Sequence, residues 1–389
     1  MTKTVTILGA TGSVGRSTLA LLDEAAEGEF AVEALVAGRD AAGLAVCARK
    51  HRARVAVLAD PAGLPALREA LAGSGVEAAA GEAAVLEAAS RPVDWTMAAI
   101  VGAAGLGPTL ASIRRGGTLA LANKEALVCA GEIVLAAVRE AGATLLPVDS
   151  EHNAVFQALD ARDPAMIEKI IITASGGPFR TATEAEMRAA TPERALKHPV
   201  WSMGAKISID SATMFNKGLE VIEAARLFPV APAQIEVLVH PQSTVHGMVQ
   251  YADGSLLAHL GSPDMRTPIA HALAWPHRMK ADVPKLDLAA LGRLEFSAPD
   301  EVRFPALRLA REALLAGAGV PTILNAANEV AVERFLSRRL GFLDIARVVE
   351  ATMERLGAPA LPTLDAVLAL DAEARAEAAR IAGRLGLAA

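Results

Sequence analysis

Thr4-Val-Thr-Ile-Leu8-Gly9-Ala-Thr-Gly12-Ser-Val-Gly15 is the stretch on which the reading of this chain turns. A short β-branched, apolar run ends in a glycine turn, and the amphipathic pattern Ser17–Glu24 follows. Glycines at such a turn let the backbone approach a pyrophosphate, and the helix start beyond it offers unpaired N–H groups and a positive dipole end. The spacing is GxxGxxG, a variant common among NADP-binding Rossmann domains. A glycine turn without a ligand is the bland alternative. The position of the turn, directly after the first strand of a repeating pattern, weighs toward the dinucleotide.

Working outward, the apolar runs Val5–Leu8, Ala31–Val36, Val55–Leu58, Trp95–Ile100, Thr118–Ala122 and Thr144–Val148 alternate with helical patterns such as Leu64–Leu71. This is the βαβ signature of a parallel, doubly wound sheet, so residues 1–149 are expected to form a Rossmann-like domain. The second run ends in Ala37-Gly38-Arg39-Asp40. An NAD site wants an acid there for the ribose hydroxyls. Arg39 can instead pair with a 2′-phosphate, through charge-assisted hydrogen bonds worth about 1.5–3 kcal/mol. NADPH is therefore the expected cofactor.

Residues 150–275 read differently. Ile170–Thr173, Ile235–Val239, Val245–Tyr251 and Leu256–Leu260 look like strands, and Ala252-Asp-Gly254 makes a hairpin turn between the last two. This is an α+β domain. Within it, residues 179–206 are polar and weakly patterned, with Pro192 and Pro199, as expected of a functional lid. Pro276, Pro284 and Pro299 punctuate a linker, residues 276–304. From residue 305 to 389 the pattern is that of an α-helical bundle.

Composition narrows the function classes. The chain has 389 residues, 52% of them apolar and 3% aromatic, enough to bury several aliphatic cores. Its net charge is -6, from 38 basic and 44 acidic residues, with no basic block, which argues against nucleic acid as a partner. Cys47 and Cys129 sit in no ligand-spaced pair and read as small core residues. The uncharged run Trp95–Ile113 has the length of a membrane span, but Gly102, Gly105, Gly107 and Pro108 break it. The first strand starts almost at Met1, leaving no room for a leader. A cytoplasmic, soluble protein is the expectation.

Chemistry concentrates in three places. Asp149-Ser150-Glu151 follows the run that ends at Val148, and strand ends are where open α/β sheets hold ligands. Two carboxylates at this spacing can converge on one hard cation, Mg²⁺ or Mn²⁺, although D-x-E at a strand end is also a common helix cap. Asn216, Lys217 and Glu220 are spaced to share one helix face, suited to a phosphorylated polyol beside a metal, or to a plain surface ion pair. Ser175-Gly176-Gly177 ends a strand in a loop with exposed N–H groups, either a phosphate nest or a structural turn.

Taken in order, Gly9–Gly15, Ala122-Asn-Lys-Glu125, Val148-Asp-Ser-Glu-His152, Thr173-Ala-Ser-Gly-Gly-Pro-Phe-Arg180, Lys197-His-Pro-Val-Trp-Ser-Met-Gly204 and Asp210–Glu220 resemble the motifs of 1-deoxy-D-xylulose 5-phosphate reductoisomerases. The resemblance continues through His240–His246, Ser262–Arg266 and Asn325-Ala-Ala-Asn-Glu329, and so covers essentially the whole chain. It implies that Asp149, Glu151 and Glu220 bind Mn²⁺ or Mg²⁺. It implies that Lys124, Ser150, Glu151, Ser175, His198, Ser211, Asn216, Lys217 and Glu220 line the substrate, with Lys124, Glu151 and His198 as the catalytic groups. Thr11, Gly12, Ser13, Val14, Gly38, Arg39, Asp40, Asn123, Glu125 and Gly204 are the implied NADPH contacts, Trp201 and Met203 belong to the lid, and a homodimer is implied. The chain departs from the family at Asp40, where members often have Asn. His240, His246, His259, His271 and His277 form no ligand-spaced pair; His246 is expected to line the pocket and the others to satisfy hydrogen bonds in the fold or at a subunit interface. Two other readings compete. A semialdehyde dehydrogenase needs a nucleophilic cysteine, and Cys129 sits in an apolar run. An NADPH sensor needs the glycine loop but not the three carboxylates.

Overall fold

The computed structural model describes residues 2–201 and 203–386. Its described residues form two compact units. The first takes those of Met1–Ala126, Glu132–Asn153 and Asp264–Pro284; the second takes those of Leu127–Gly131, Ala154–Pro263 and Lys285–Ala389.

The first unit is built on seven parallel strands: β1 (Lys3–Leu8), β2 (Phe30–Ala37), β3 (Val55–Leu58), β4 (Glu77–Ala80), β5 (Trp95–Ala98), β6 (Thr118–Leu121) and β7 (Thr144–Pro147), in the order β4-β3-β2-β1-β5-β6-β7. The chain winds outward from β1 to β4, then returns to β5 on the other side of β1. That reversal makes a crevice at the carboxyl ends of β1 and β5, and the glycine loop lies there. Burial of strands on both faces explains the near-continuous apolar runs: β3 and β5 are buried at every residue.

Six of the seven strands match the sequence pattern. The exception is β4, Glu77-Ala-Ala-Ala80, made of residues that prefer helices. It is a strand because it pairs in register with Val55–Leu58 and closes the sheet's edge.

The helix Arg266–Ala274 packs with this unit, although the sequence pattern groups it with residues 150–263. Buried Trp95 donates its indole N–H to the Ala272 carbonyl at 3.0 Å, and Lys3 donates to the Leu273 carbonyl at 2.6 Å. The expected boundary at 275 is thereby displaced: a segment of the chain returns to cover the first sheet.

The second unit contains β8 (Ile167–Ala174), β9 (Ile235–Val239), β10 (Val245–Tyr251) and β11 (Leu256–Leu260), in the order β11-β10-β8-β9. Only β8 and β9 run parallel. Its helical part comprises Ala306–Ala316, Val320–Leu336, Asp344–Leu356 and Leu364–Gly386, with Ile323, Ala326, Leu370 and Ala374 in one core cluster. Within the linker, Ser297 exchanges both backbone hydrogen bonds with Val239, so this stretch extends the sheet rather than hanging free.

The expected lid, residues 179–206, divides into two parts. Helices Glu184–Arg188 and Pro192–Ala195 form in its first part, the former with a Thr183/Glu186 capping box. Phe179 is fully buried against Phe342 at 4.7 Å between ring centres, with Arg194 over its face at 5.2 Å. This part is anchored. Beyond Leu196 the described residues form no helix or strand until Ala205, and Ser202 lies outside the described residues. Among the described residues, no helix is long and apolar enough to cross a membrane.

Candidate active site

In the first unit, Gly9 adopts φ +96°, and a side chain there would meet the Ala99 carbonyl oxygen at 2.5 Å. At Gly15 a Cβ would sit 2.2 Å from the Gly9 oxygen and 2.6 Å from the Ala10 Cα, so only glycine lets the helix Ser13–Glu24 start this close to the turn. Gly12 caps that helix without a side-chain acceptor, which leaves the first helical N–H groups directed at the crevice. Thr11, Gly12, Ser13 and Val14 are all exposed or half-buried beside it. This cradle of backbone donors is what a pyrophosphate requires.

Gly38, Arg39 and Asp40 are exposed at the carboxyl end of β2. Arg39 pairs with Asp60 at 3.2 Å. Asp40 caps the helix Ala41–Lys50, accepting the Gly43 N–H at 2.8 Å. Half-buried Cys47 follows on that helix, and burial pushes its thiol up.

Asn123 is buried and acts as a clamp. Its amide nitrogen donates to the carbonyls of Ile100 and Gly102, and its oxygen accepts the Ala126 N–H at 2.7 Å. Its side chain thus holds the loop after β5. Lys124 and Glu125 open the helix Glu125–Ala141 at the end of β6. The Lys124 ammonium donates to Asp149 Oδ2 at 2.8 Å. Asp149 accepts the Asn153 N–H through its carbonyl as the helix Ser150–Ala158 begins, and the Ser150 hydroxyl donates to Glu151 Oε2 at 2.6 Å. The carboxylates therefore stand at a helix start, beside an ammonium and a hydroxyl.

Sequence reading missed the fastening of this helix. Asn153 Nδ2 donates to the Pro147 carbonyl at 2.9 Å and lies 3.1 Å from His271 Nδ1. Burial, with Arg278 adding to it, lowers the His271 pKa to about 4, so the ring is neutral and Nδ1 accepts from the Asn153 amide nitrogen, which can only donate. The two residues are 118 positions apart, and no local pattern joins them.

In the second unit, Ser175 Oγ and His198 Nε2 lie 2.8 Å apart. His198 Nδ1 accepts the N–H groups of Val200 at 3.2 Å and Trp201 at 2.8 Å, which assigns the ring proton to Nε2. Ser175 Oγ accepts from that Nε2–H and from the Gly177 N–H at 3.1 Å, leaving its own proton to donate outward. Burial lowers the His198 pKa and keeps the ring neutral. Gly177, at φ +64°, packs on the helix Ala205–Thr213; a Cβ would come within 2.8 Å of the Ser211 carbonyl oxygen.

Gly204 caps that helix. Asp210, one residue before half-buried Ser211, is 1% exposed and lies between Lys206 Nζ at 2.7 Å and Asn328 Nδ2 at 2.8 Å. Met214 turns the chain through φ +68° into the helix Phe215–Leu227. There Asn216 and Lys217 both donate to Glu220, one to each carboxylate oxygen. Lys217 and Glu220 are buried, which removes the surface ion pair as an explanation. Glu220 is thus a buried carboxylate whose charge is satisfied from within its own helix by an amide and an ammonium. Of the remaining histidines, His240 bonds the Glu295 carbonyl and stacks on Phe296, while His246 contacts the Gly261 carbonyl and approaches Trp201 and His259.

A doubly wound sheet with a glycine turn, joined in one chain to a mixed sheet bearing buried acid, amide, ammonium and hydroxyl groups, defines a two-unit oxidoreductase of the dinucleotide-binding class. Family models described as 1-deoxy-D-xylulose 5-phosphate reductoisomerase match residues 5–131, as its C-terminal domain residues 145–228, and as a DXP reductoisomerase C-terminal domain residues 260–377. The chain belongs to the 1-deoxy-D-xylulose 5-phosphate reductoisomerase family. It is 60% identical over 373 residues to the reductoisomerase of Rhodospirillum centenum, covering 96% of this chain and 92% of that protein. It is 57% identical over 380 residues to that of Zymomonas mobilis, covering 97% of each. The solved Zymomonas mobilis reductoisomerase in complex with NADPH matches with a TM-score of 0.93 at 54% identity, over 98% of this chain and 99% of that one. A DOX-P reductoisomerase in complex with NADPH, fosmidomycin and magnesium matches with a TM-score of 0.92 at 42% identity, over 98% of each chain.

Proposed function

We propose that the chain converts 1-deoxy-D-xylulose 5-phosphate into 2-C-methyl-D-erythritol 4-phosphate, using NADPH and Mn²⁺ or Mg²⁺, in non-mevalonate isoprenoid precursor synthesis. The observation that carries this reading is the 60% identity with a reductoisomerase over 96% of the chain.

Bound NADPH supplies the hydride, and the bound cation supplies Lewis acidity for a rearrangement of the ketose skeleton to a branched aldehyde before reduction. Thr11, Gly12, Ser13 and Val14 receive the pyrophosphate. Gly38, Arg39 and Asp40 stand at the ribose end, and Asn123, Glu125 and Gly204 complete the cofactor contacts. Asp149, Glu151 and Glu220 hold the cation. Their hard oxygen donors suit Mn²⁺ or Mg²⁺, and the ammonium groups on Asp149 and Glu220 mark positions where positive charge is already favoured.

Ser150, Ser175, Ser211, Asn216 and Lys217 bind the phosphate and hydroxyls of the substrate. The outward Ser175 hydroxyl proton and the neutral His198 behind it suit an anionic oxygen. Lys124, Glu151 and His198 act at the reacting atoms, with the Lys124 ammonium as a proton donor. The lid, about residues 179–206 and including Trp201 and Met203, closes over the substrate and excludes water. The enzyme works as a cytoplasmic homodimer.

The test is NADPH consumption with 1-deoxy-D-xylulose 5-phosphate and Mn²⁺, repeated after chelation and with Glu220→Gln. Turnover should vanish on chelation and fall at least about 10³-fold in the variant, while NADPH binding survives. Consumption that persists without metal would point to a simple carbonyl reductase instead. Tight NADPH binding with no turnover would favour a sensor.

A further inference from the structure

Asp40 poses a problem for an enzyme that uses NADPH, because an acid at the end of the second strand belongs to NAD sites and repels a 2′-phosphate. The structure shows what that acid is doing. Its Oδ1 accepts the Gly43 N–H at 2.8 Å as the cap of the helix Ala41–Lys50, which holds the carboxylate in place beside that helix start. Its Oδ2 faces the Arg16 guanidinium, with Nη2 at 3.9 Å. Arg16 is held in place from below: its Nε donates to the Thr11 carbonyl at 2.9 Å, inside the glycine loop. One side chain therefore spans the loop that cradles a pyrophosphate and the loop that receives an adenosine ribose.

Charge counting makes the consequence plain. Two arginines, Arg16 and Arg39, balance two carboxylates, Asp40 and Asp60, at this corner. Without Arg16 the corner carries an excess negative charge facing an incoming phosphate dianion. Arg39 alone cannot offset this, because it is already paired with Asp60 at 3.2 Å.

We propose that Arg16 is a specificity-determining residue: by neutralising Asp40 it allows a corner with an NAD-type acid to accept NADPH. The inference rests on the NADPH reading above and adds to it the residue that makes the preference possible. Both side chains are substantially exposed, so substitutions here leave the fold intact.

The experiment measures dissociation constants for NADPH and NADH by nucleotide fluorescence, on the wild type, Arg16→Ala, Asp40→Asn and the double variant, with apo melting temperatures as a folding control. Arg16→Ala should weaken NADPH about tenfold and leave NADH within about twofold. Adding Asp40→Asn should bring NADPH affinity back to within about threefold of wild type, since no charge then needs neutralising. An unchanged NADPH/NADH ratio in Arg16→Ala overturns the proposal, and so does a double variant as weak as the single one. A wild type that binds both nucleotides equally would instead overturn the NADPH reading itself.

Discussion

The glycine loop after β1 and the glycine loop after β8 look alike in sequence but are held by different means. At Gly15 the first is fixed by its own atoms, while Gly9 rests on the Ala99 carbonyl of the neighbouring strand end. Gly9 and Gly15 let a turn and a helix start occupy the same few ångströms, and every atom in conflict with an added Cβ at Gly15 lies within six residues of it. The second is fixed from a distance. Ser175 is oriented by His198, 23 positions later, and Gly177 rests on the backbone of Ser211 and Ala212. The first loop needs only its own residues at Gly15 and the adjacent strands of its sheet. A loop of the second kind exists only when the rest of its unit has folded.

Substitutions can separate the two modes. The largest effect is expected for Gly15→Ala, whose Cβ would strike backbone atoms that cannot move aside. Stability should fall by about 3 kcal/mol or more, with NADPH binding lost. Gly12→Ala, where the nearest atom is 3.3 Å away, is the control and should cost far less. Denaturant melts with nucleotide titration decide it; equal losses at both positions would show that the loop is not sterically fixed.

His198→Ala should act on the second loop alone. Freed from its partner, Ser175 loses its orientation, and substrate KM should rise roughly 10- to 100-fold while the NADPH dissociation constant stays within about twofold. Steady-state kinetics alongside nucleotide binding test this. A parallel loss of nucleotide affinity would erase the distinction between the two loops.

The smallest effect concerns the other neutral histidine. His271 has its folded pKa lowered to about 4, below the unfolded value near 6.5, so the unfolded chain takes up the proton first. The contribution is fully present above pH 6.5 and is lost as pH falls toward 4. It amounts to about 1 kcal/mol once solvent screening of a half-exposed ring is allowed for. Urea melts at pH 7 and pH 5 should show a steeper decline for wild type than for His271→Gln. Matching slopes would remove His271 from the acid sensitivity of the fold.

This contrast also explains how much was legible in the sequence. The doubly wound sheet is written in local period and turn chemistry, so the first strands, the glycine loop and the carboxylates at the strand end stand out. β4 does not, because Glu77-Ala-Ala-Ala80 prefers a helix and becomes a strand only by pairing with β3. The candidate site residues were readable as residue types and, through family motifs, as a set. Their connections were not. The tautomer of His198 depends on two backbone N–H groups, Asn153 finds His271 across 118 positions, and Asn123 turned out to clamp a loop with its whole side chain. None of these has a spacing signature. The anchored half of the lid was likewise hidden, since Phe179 meets Phe342 only in the folded unit.

The Asp210 carboxylate bears on the history such a chain can have. It is almost wholly buried beside Ser211, and one of its two donors, Asn328, comes from the helix Val320–Leu336. A descendant that lost the Asn328 amide while keeping the helix that buries this carboxylate would take the donor from one of its two oxygens, at a cost of about 1.5–3 kcal/mol for a hydrogen bond to a charged group, while Lys206 still pairs with the other. The helical region thus constrains the motif through a single amide, and positions 210 and 328 are expected to change together.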